Sequence, residues 1–219
     1  MQGLSNAFWE TFSTFDAAEK HLRRVGMLVD RDGHQFWNEL RPGTQWIWDA
    51  YDVQYPDEGV IVAFCDGSAL RNGRRDCTAA FACEFPHRED WNEVRVLNEA
   101  HATSIRAEYR AALAVLEQVD RVDPHKYKAL AIFTDSEVLI NTMEKWVHMW
   151  INNDWYRANS SPVKNRDLVQ QLVALGEGRV VMYRHVKAHT NQDGWEYEWN
   201  DRVDRQARGA AQDADNGVW

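Results

Sequence analysis

Apolar residues gather into a few short runs, and two of these runs each deliver an aspartate. Val60-Ile61-Val62-Ala63-Phe64-Cys65 leads into Asp66, and Ala129-Leu130-Ala131-Ile132-Phe133-Thr134 leads into Asp135. Continuous apolar runs of this length, rich in β-branched and aromatic residues, read as strands covered on both faces. They predict strand one over 60–65, ending at Asp66, and strand four over 130–134. Between them, 77–85 and 92–97 read as strands two and three, with Asn72-Gly73 marking a turn, and 179–186 reads as strand five.

Helical spacing fills the intervals. Ile105, Tyr109, Ala112, Leu113 and Leu116 form one stripe over 104–120, and Leu139, Met143, Trp146, Val147 and Trp150 form another. Ser161 as N-cap, Pro162 at the first position and Gly176 past the end delimit a third helix. Trp199, Val203, Ala207 and Ala210 place a last helix over 198–211. The order is three strands, helix, strand, helices, strand, helix. It predicts an α/β fold: a five-stranded mixed sheet flanked by helices, with antiparallel hairpins first and helical crossovers later. Ligands in such sheets gather beyond the carboxyl ends of parallel strands. With strands one and four as parallel neighbours, Asp66 and Asp135 stand side by side.

Residues 1–57 read as a separate, partly helical N-terminal extension, and 58–219 as the main domain. In the extension Phe12, Phe15, Ala18, Leu22 and Val25 recur at helical spacing, with Thr14 or Asp16 as cap. Trp37, Trp46 and Trp48 surround a Pro42-Gly43 turn signal. Such aromatics can stack on bases, but packing onto the following domain is the simpler reading.

Composition changes little and charge rather more. A chain of 219 residues with 44% hydrophobic and 27% charged residues is ordinary for one well-buried domain. No apolar run approaches the roughly 20 residues that span a bilayer. Glu10, Asp16 and Glu19 make the N-terminus unlike a secretory signal. Three cysteines, Cys65, Cys77 and Cys83, match no ligand spacing and read as reduced core thiols. The expected setting is therefore intracellular: cytoplasm, or nucleus in a eukaryote. The net charge of −9 argues against nucleic-acid binding on its own, because phosphate contacts need Lys and Arg. Residues 1–59 hold 5 basic and 10 acidic residues, and the rest hold 20 and 24. A group of acids built to hold a divalent ion would explain much of that second deficit.

Two further acids sit oddly. Glu108 falls on the inward stripe of its helix, one turn from Ile105 and Ala112, where an unpaired ion is costly. Asp204 lies at the margin of the last helix's apolar face. Singly, each suits a solvated position or a salt bridge, and Asp66 and Asp135 suit strand-end caps. Together, four acids from four elements cannot all stay ionised without a cation. An all-oxygen set favours Mg²⁺ or Mn²⁺ over zinc. Two such ions about 4 Å apart form the site used for phosphodiester hydrolysis.

The motifs in order resemble type 1 ribonuclease H. They are Cys65-Asp66-Gly67-Ser68, Thr103-Ser104-Ile105-Arg106-Ala107-Glu108, Phe133-Thr134-Asp135-Ser136, Val186-Lys187-Ala188-His189 and Asn200-Asp201-Arg202-Val203-Asp204. Trp146-Val147-His148-Met149-Trp150 and 161–168 extend the resemblance across 58–212. It implies a ribonuclease H-like fold and endonucleolytic cutting of the RNA strand of RNA/DNA hybrids, leaving 5′-phosphate and 3′-hydroxyl ends. It also implies two Mg²⁺ ions, with Mn²⁺ able to substitute, held by Asp66, Glu108, Asp135 and Asp204. Asp66 would bridge both ions, Asp204 would complete the water side, and Glu108 with Asp135 the leaving-group side. Asp201 is the competing acid near Asp204, which the spacing from Asn200 favours. His189 would help proton transfer or product release. Ser68, Ser104, Trp150 and Asn165 occupy places that contribute to hybrid contacts. The implied partner is the hybrid alone, with a monomeric protein and no membrane.

Three departures stand against the family pattern. Ile151-Asn152-Asn153-Asp154 replaces a basic run, which implies weaker and less salt-sensitive binding there. Glu137 adds an acid close to Asp135, where the family often has a neutral group. The loop after Ser68, Ala-Leu-Arg-Asn-Gly-Arg-Arg, is closer to eukaryotic than to bacterial forms. Residues 12–22 faintly resemble the end of the small hybrid-binding domain that precedes many eukaryotic ribonucleases H, without the basic and aromatic part before it. The alternatives are another ribonuclease H-like nuclease of retroelement type, or a catalytically weak hybrid-binding module.

Overall fold

The computed structural model describes residues 60–99, 101–188 and 194–218, so the readings placed on the N-terminal extension and on His189 lie outside the described residues. Five strands form one mixed sheet in the order β3-β2-β1-β4-β5. They are β1 Val60–Leu70, β2 Thr78–Glu84, β3 Glu93–Val96, β4 Ala129–Thr134 and β5 Val181–His185. As expected, β1–β2 and β2–β3 are antiparallel, whereas β1–β4 and β4–β5 are parallel. The helices are α1 Ser104–Val122, α2 Glu137–Asn141, α3 Val147–Asn152, α4 Arg166–Gly176 and α5 Trp195–Asp215, with a π-helical turn at Thr142–Trp146 joining α2 to α3.

Alternation along β1 divides the core. Ile61, Ala63 and Cys65 face α1 and α4, where they meet Leu113, Leu116, Leu168 and Leu172. Val62 and Phe64 face the other way, against Phe133 and the Val203 and Ala207 positions of α5. Phe64 stacks on Phe133 with centroids 4.8 Å apart. Each fully buried side chain of this size contributes roughly 1.5–3 kcal/mol, so the two layers hold the sheet rigid from both sides. Among the described residues no helix is long and apolar enough to cross a membrane.

Several boundaries differ from the sequence reading, for physical reasons. β1 does not stop at Asp66. It runs on to Leu70 because Asp66–Leu70 pair with β2 through Asp66↔Ala82 to Leu70↔Thr78. The third helix does not begin at Ser161-Pro162. Pro162 bridges to Tyr156 and Val163 N–H donates to Trp155 O (3.0 Å), so 155–163 fold back as a turn. The helix starts after Asn165, which takes left-handed geometry at φ 55°, and Gly176 is its last residue rather than its stop. Ile105 is 39% exposed, so α1's apolar stripe begins at Tyr109. The last helix extends well beyond 198–211 at both ends, and Cys77 is only partly buried while Cys65 and Cys83 are core thiols.

Candidate active site

The site forms where β1 outruns its parallel neighbour. Pairing with β4 ends at Phe64↔Phe133, whereas β1 continues against β2. Two residues beyond that last pair stand Asp66 on β1 and Asp135 after β4, so the parallel register sets them side by side. Asp66 is 5% exposed and lies inside a strand, which removes its reading as a strand-end cap. Capping after β4 falls to Ser136, whose Oγ accepts from Leu139 N–H (3.3 Å), and to Thr134, whose Oγ1 accepts from Ser136 N–H (3.1 Å). Asp135 is thus not needed as the cap of α2.

Glu108 reaches the same point from α1 because Gly67 lets the helix lie directly on β1. A Cβ built on Gly67 would sit 2.3 Å from both Ala107 C and Glu108 N. Only a residue without a side chain permits that approach. The Gly67 N–H donates to the Glu108 carboxylate. Carboxylate oxygens of Asp66, Glu108 and Asp135 all lie within 4.8 Å of one another. Asp204 stands outside this tight group, in an ion pair with Arg208 (3.0 Å), but its charge is felt at Asp66 and Glu108.

Electrostatics follow from the crowding. Asp66 is pushed up to about 7, first by burial and then by Asp135 and Asp204. Burial, followed by Asp66 and Asp135, raises Glu108 well above the usual carboxylate range. Glu108 Oε2 is sealed from solvent and has no hydrogen-bond partner. An acceptor left bare beside two more carboxylates is costly unless a cation completes it. The donor set is all oxygen, with neither thiol nor imidazole in the group, and so fits a hard divalent ion.

The remaining predicted residues are distributed around this point. Ser68 follows Asp66 by two positions and shares its face of β1, partly exposed. Ser104 opens α1; its N–H donates to Asn72 Oδ1 (3.1 Å), and its Oγ accepts from Asn72 Nδ2 (2.9 Å). Asn165 Oδ1 accepts from Arg106 Nη1 (3.4 Å). Trp150 is half-buried on the core beside Trp146, with centroids 6.0 Å apart. Glu137 is exposed at the start of α2 and does not join the acid group. β5 leaves the sheet next to Asp135, since Val186 N–H donates to Thr134 O (3.0 Å).

Two residues that organise the site were given no such role by the sequence reading. Arg106 binds Glu99 (2.6 Å) and Asp167 (2.9 Å) and so ties the start of α1 to the start of α4. Asn72 appeared only as half of an Asn-Gly turn signal, yet its side chain locks the β1–β2 hairpin onto α1. The sequence hint for Arg106 is its place one residue past Ile105 and two before Glu108.

The RNase H family model matches residues 58–212. Ribonuclease H of Schizosaccharomyces pombe is 32% identical over 150 residues, covering 68% of this chain and 52% of that protein. Ribonuclease H of Rhodopseudomonas palustris is 36% identical over 110 residues, covering 50% of this chain and 67% of that protein. The chain therefore spans about half the length of the yeast relative. Among solved structures, LC9-RNase H1, a type 1 RNase H with the type 2 active-site motif, is similar at 25% identity and a TM-score of 0.51, covering 70% of this chain and 72% of its own. The RNase H domain of PFV shares the fold at 18% identity and a TM-score of 0.55, over 69% of this chain and 94% of its own.

Proposed function

This chain belongs to the RNase H family, and from that premise we propose that it hydrolyses the RNA strand of RNA/DNA hybrids, leaving 5′-phosphate and 3′-hydroxyl ends. The observation that carries the reading is the Asp66–Glu108–Asp135 group with its bare, buried Glu108 oxygen. These carboxylates, joined by Asp204, would hold two Mg²⁺ ions, with Mn²⁺ as substitute. When bound, such ions supply an activated water on one side of the scissile phosphate and charge stabilisation at the leaving oxygen on the other.

The chain's own residues set the geometry. Asp66, fixed within β1 beside Glu108 and Asp135, would be a ligand common to the bound metal. Glu108 and Asp135 would hold metal on the leaving-group side, and Asp204 would do so on the water side once it parts from Arg208. His189 carries a proton to or from the reacting oxygens. Ser68, Ser104, Asn165 and Trp150 contribute contacts to the hybrid, whose RNA strand is distinguished by its 2′-hydroxyls.

The test offers hybrid, double-stranded RNA and double-stranded DNA to the protein with Mg²⁺. Only the RNA of the hybrid should be cut, and Asp135→Asn should lower the rate by about a thousandfold, roughly 4 kcal/mol of barrier. Survival of the hybrid RNA, or equal cutting after Asp135→Asn, refutes the proposal. Cutting of duplex DNA would select another nuclease of this fold. Hybrid binding without turnover at saturating Mg²⁺ and Mn²⁺ would select a binding module, a reading that the exposed Glu137 does not favour.

A further inference from the structure

Acids outnumber bases by nine in this chain, yet Arg71, Arg74 and Arg75 lie together in the turn between β1 and β2. Arg71 is committed to the fold: its guanidinium holds Asp215 at the end of α5, and its Nε lies 2.8 Å from Asp76 Oδ2. Those two acids are thereby occupied. Arg74 and Arg75 are exposed, and among the described residues neither forms an ion pair.

The tip is also held in place. Gly73 turns the chain at φ +80°, Arg74 N–H donates to Arg71 O (3.0 Å), and Cys77 N–H donates to Arg74 O (3.2 Å). Asn72 clamps the tip to Ser104 through both atoms of its amide, one helical turn from Glu108. Two guanidiniums with no ion pair among the described residues thus sit in the turn that follows the strand supplying Asp66. Solubility would not require such a clamp. From Asp66 to Leu70 is about 13 Å at roughly 3.3 Å per residue. The strand up to the start of the turn thus matches roughly four phosphates at about 3.4 Å per nucleotide, with Arg74 and Arg75 following it. Residues 151–154 carry no basic side chain, so gripping there falls to another element.

We propose that Arg74 and Arg75 form a phosphate-gripping hairpin that holds the hybrid backbone at a fixed offset from the acid group. This rests on the reading of the chain as a hybrid-cutting hydrolase. The full chain carrying Arg74→Gln and Arg75→Gln is compared with the parent at several salt concentrations. KM for hybrid should rise about five- to twentyfold while kcat stays within about twofold, and the slope of log KM against log salt should shrink by about one to two. A hybrid too short to reach the tip from its cut site should show no difference between the two proteins. Arg88→Gln, at the far end of β2, should change neither constant, and unchanged thermal melting confirms folding of each variant. An unaltered KM and slope, or a fall in kcat alone, overturns the proposal. If neither protein cuts hybrid, the hydrolase reading fails by itself. Anisotropy of labelled hybrid then decides the hairpin: weaker binding by the variant supports it, and equal binding overturns it.

Discussion

Crowding three carboxylates within 4.8 Å of one another destabilises the metal-free fold, and the pH dependence follows from the raised Asp66 and Glu108. In the unfolded chain both ionise near the ordinary value of about 4, whereas Asp66 in the fold holds its proton to about 7. Across that window the unfolded state binds fewer protons, so stability is complete below about pH 4 and is lost as pH rises toward 7. With chelator present, melting should drop by roughly 3–8 °C between pH 5 and 7.5. Mg²⁺ should restore it at 7.5 and do little at 5, and a flat profile without metal would contradict the repulsive group. By the same logic Glu108→Gln should raise the melting point of the metal-free protein at pH 7.5 while abolishing turnover. Gly67 is the complementary case. Gly67→Ala forces α1 off β1 and should cost roughly 1–3 kcal/mol or more of stability. It should also lose turnover, because Glu108 moves with the helix.

At the scale of elements, the end of the sheet remote from the site depends on one buried ion pair. Arg179, 4% exposed, donates to Asp123 Oδ2 (2.6 Å), Asp123 O (2.7 Å) and Lys128 O (2.7 Å), joining the end of α1 to the start of β4 and β5. Burial pushes the Asp123 carboxyl up. Hydrogen bonds from Lys128 N–H, Arg179 and Tyr127 N–H outweigh that and hold it below the usual range. Removing one partner strands a buried charge, so Arg179→Leu should destabilise by about 3 kcal/mol in denaturant titration with KM unchanged. The succession of strands and helices and the antiparallel first hairpins were legible because apolar runs and helical stripes are local signals. The order in the sheet was not, and Asp66 met Asp135 only on the condition that strands one and four are parallel neighbours. Boundaries were less legible. Strand one reads as ending at Asp66 until β2 pairs with Gly67 and Ser68, and Ser161-Pro162 reads as a helix start until burial of Val163 pulls that segment into a bridge. Nothing local in the sequence announces that Asn72 meets Ser104, or Arg106 meets Asp167, since those contacts join distant stretches.

For the molecule as a whole, net charge and proposed substrate pull in opposite directions. A chain of −9 approaching a polyanion needs its acids offset where the phosphates lie, by divalent metal and by locally gathered cations. On the proposed reading one strand serves both needs, since β1 carries Asp66 at its middle and leads into the turn of Arg74 and Arg75. Hybrid affinity should therefore fall with added chelator as well as with salt. The central claim is that the Asp66 group cuts the RNA of a hybrid, and single-turnover cleavage of an end-labelled RNA strand tests it most directly. The parent should cut only with Mg²⁺ or Mn²⁺, and Asp66→Asn should be slower by about a thousandfold at equal hybrid binding. Cleavage that survives chelation, or that Asp66→Asn leaves intact, would contradict it.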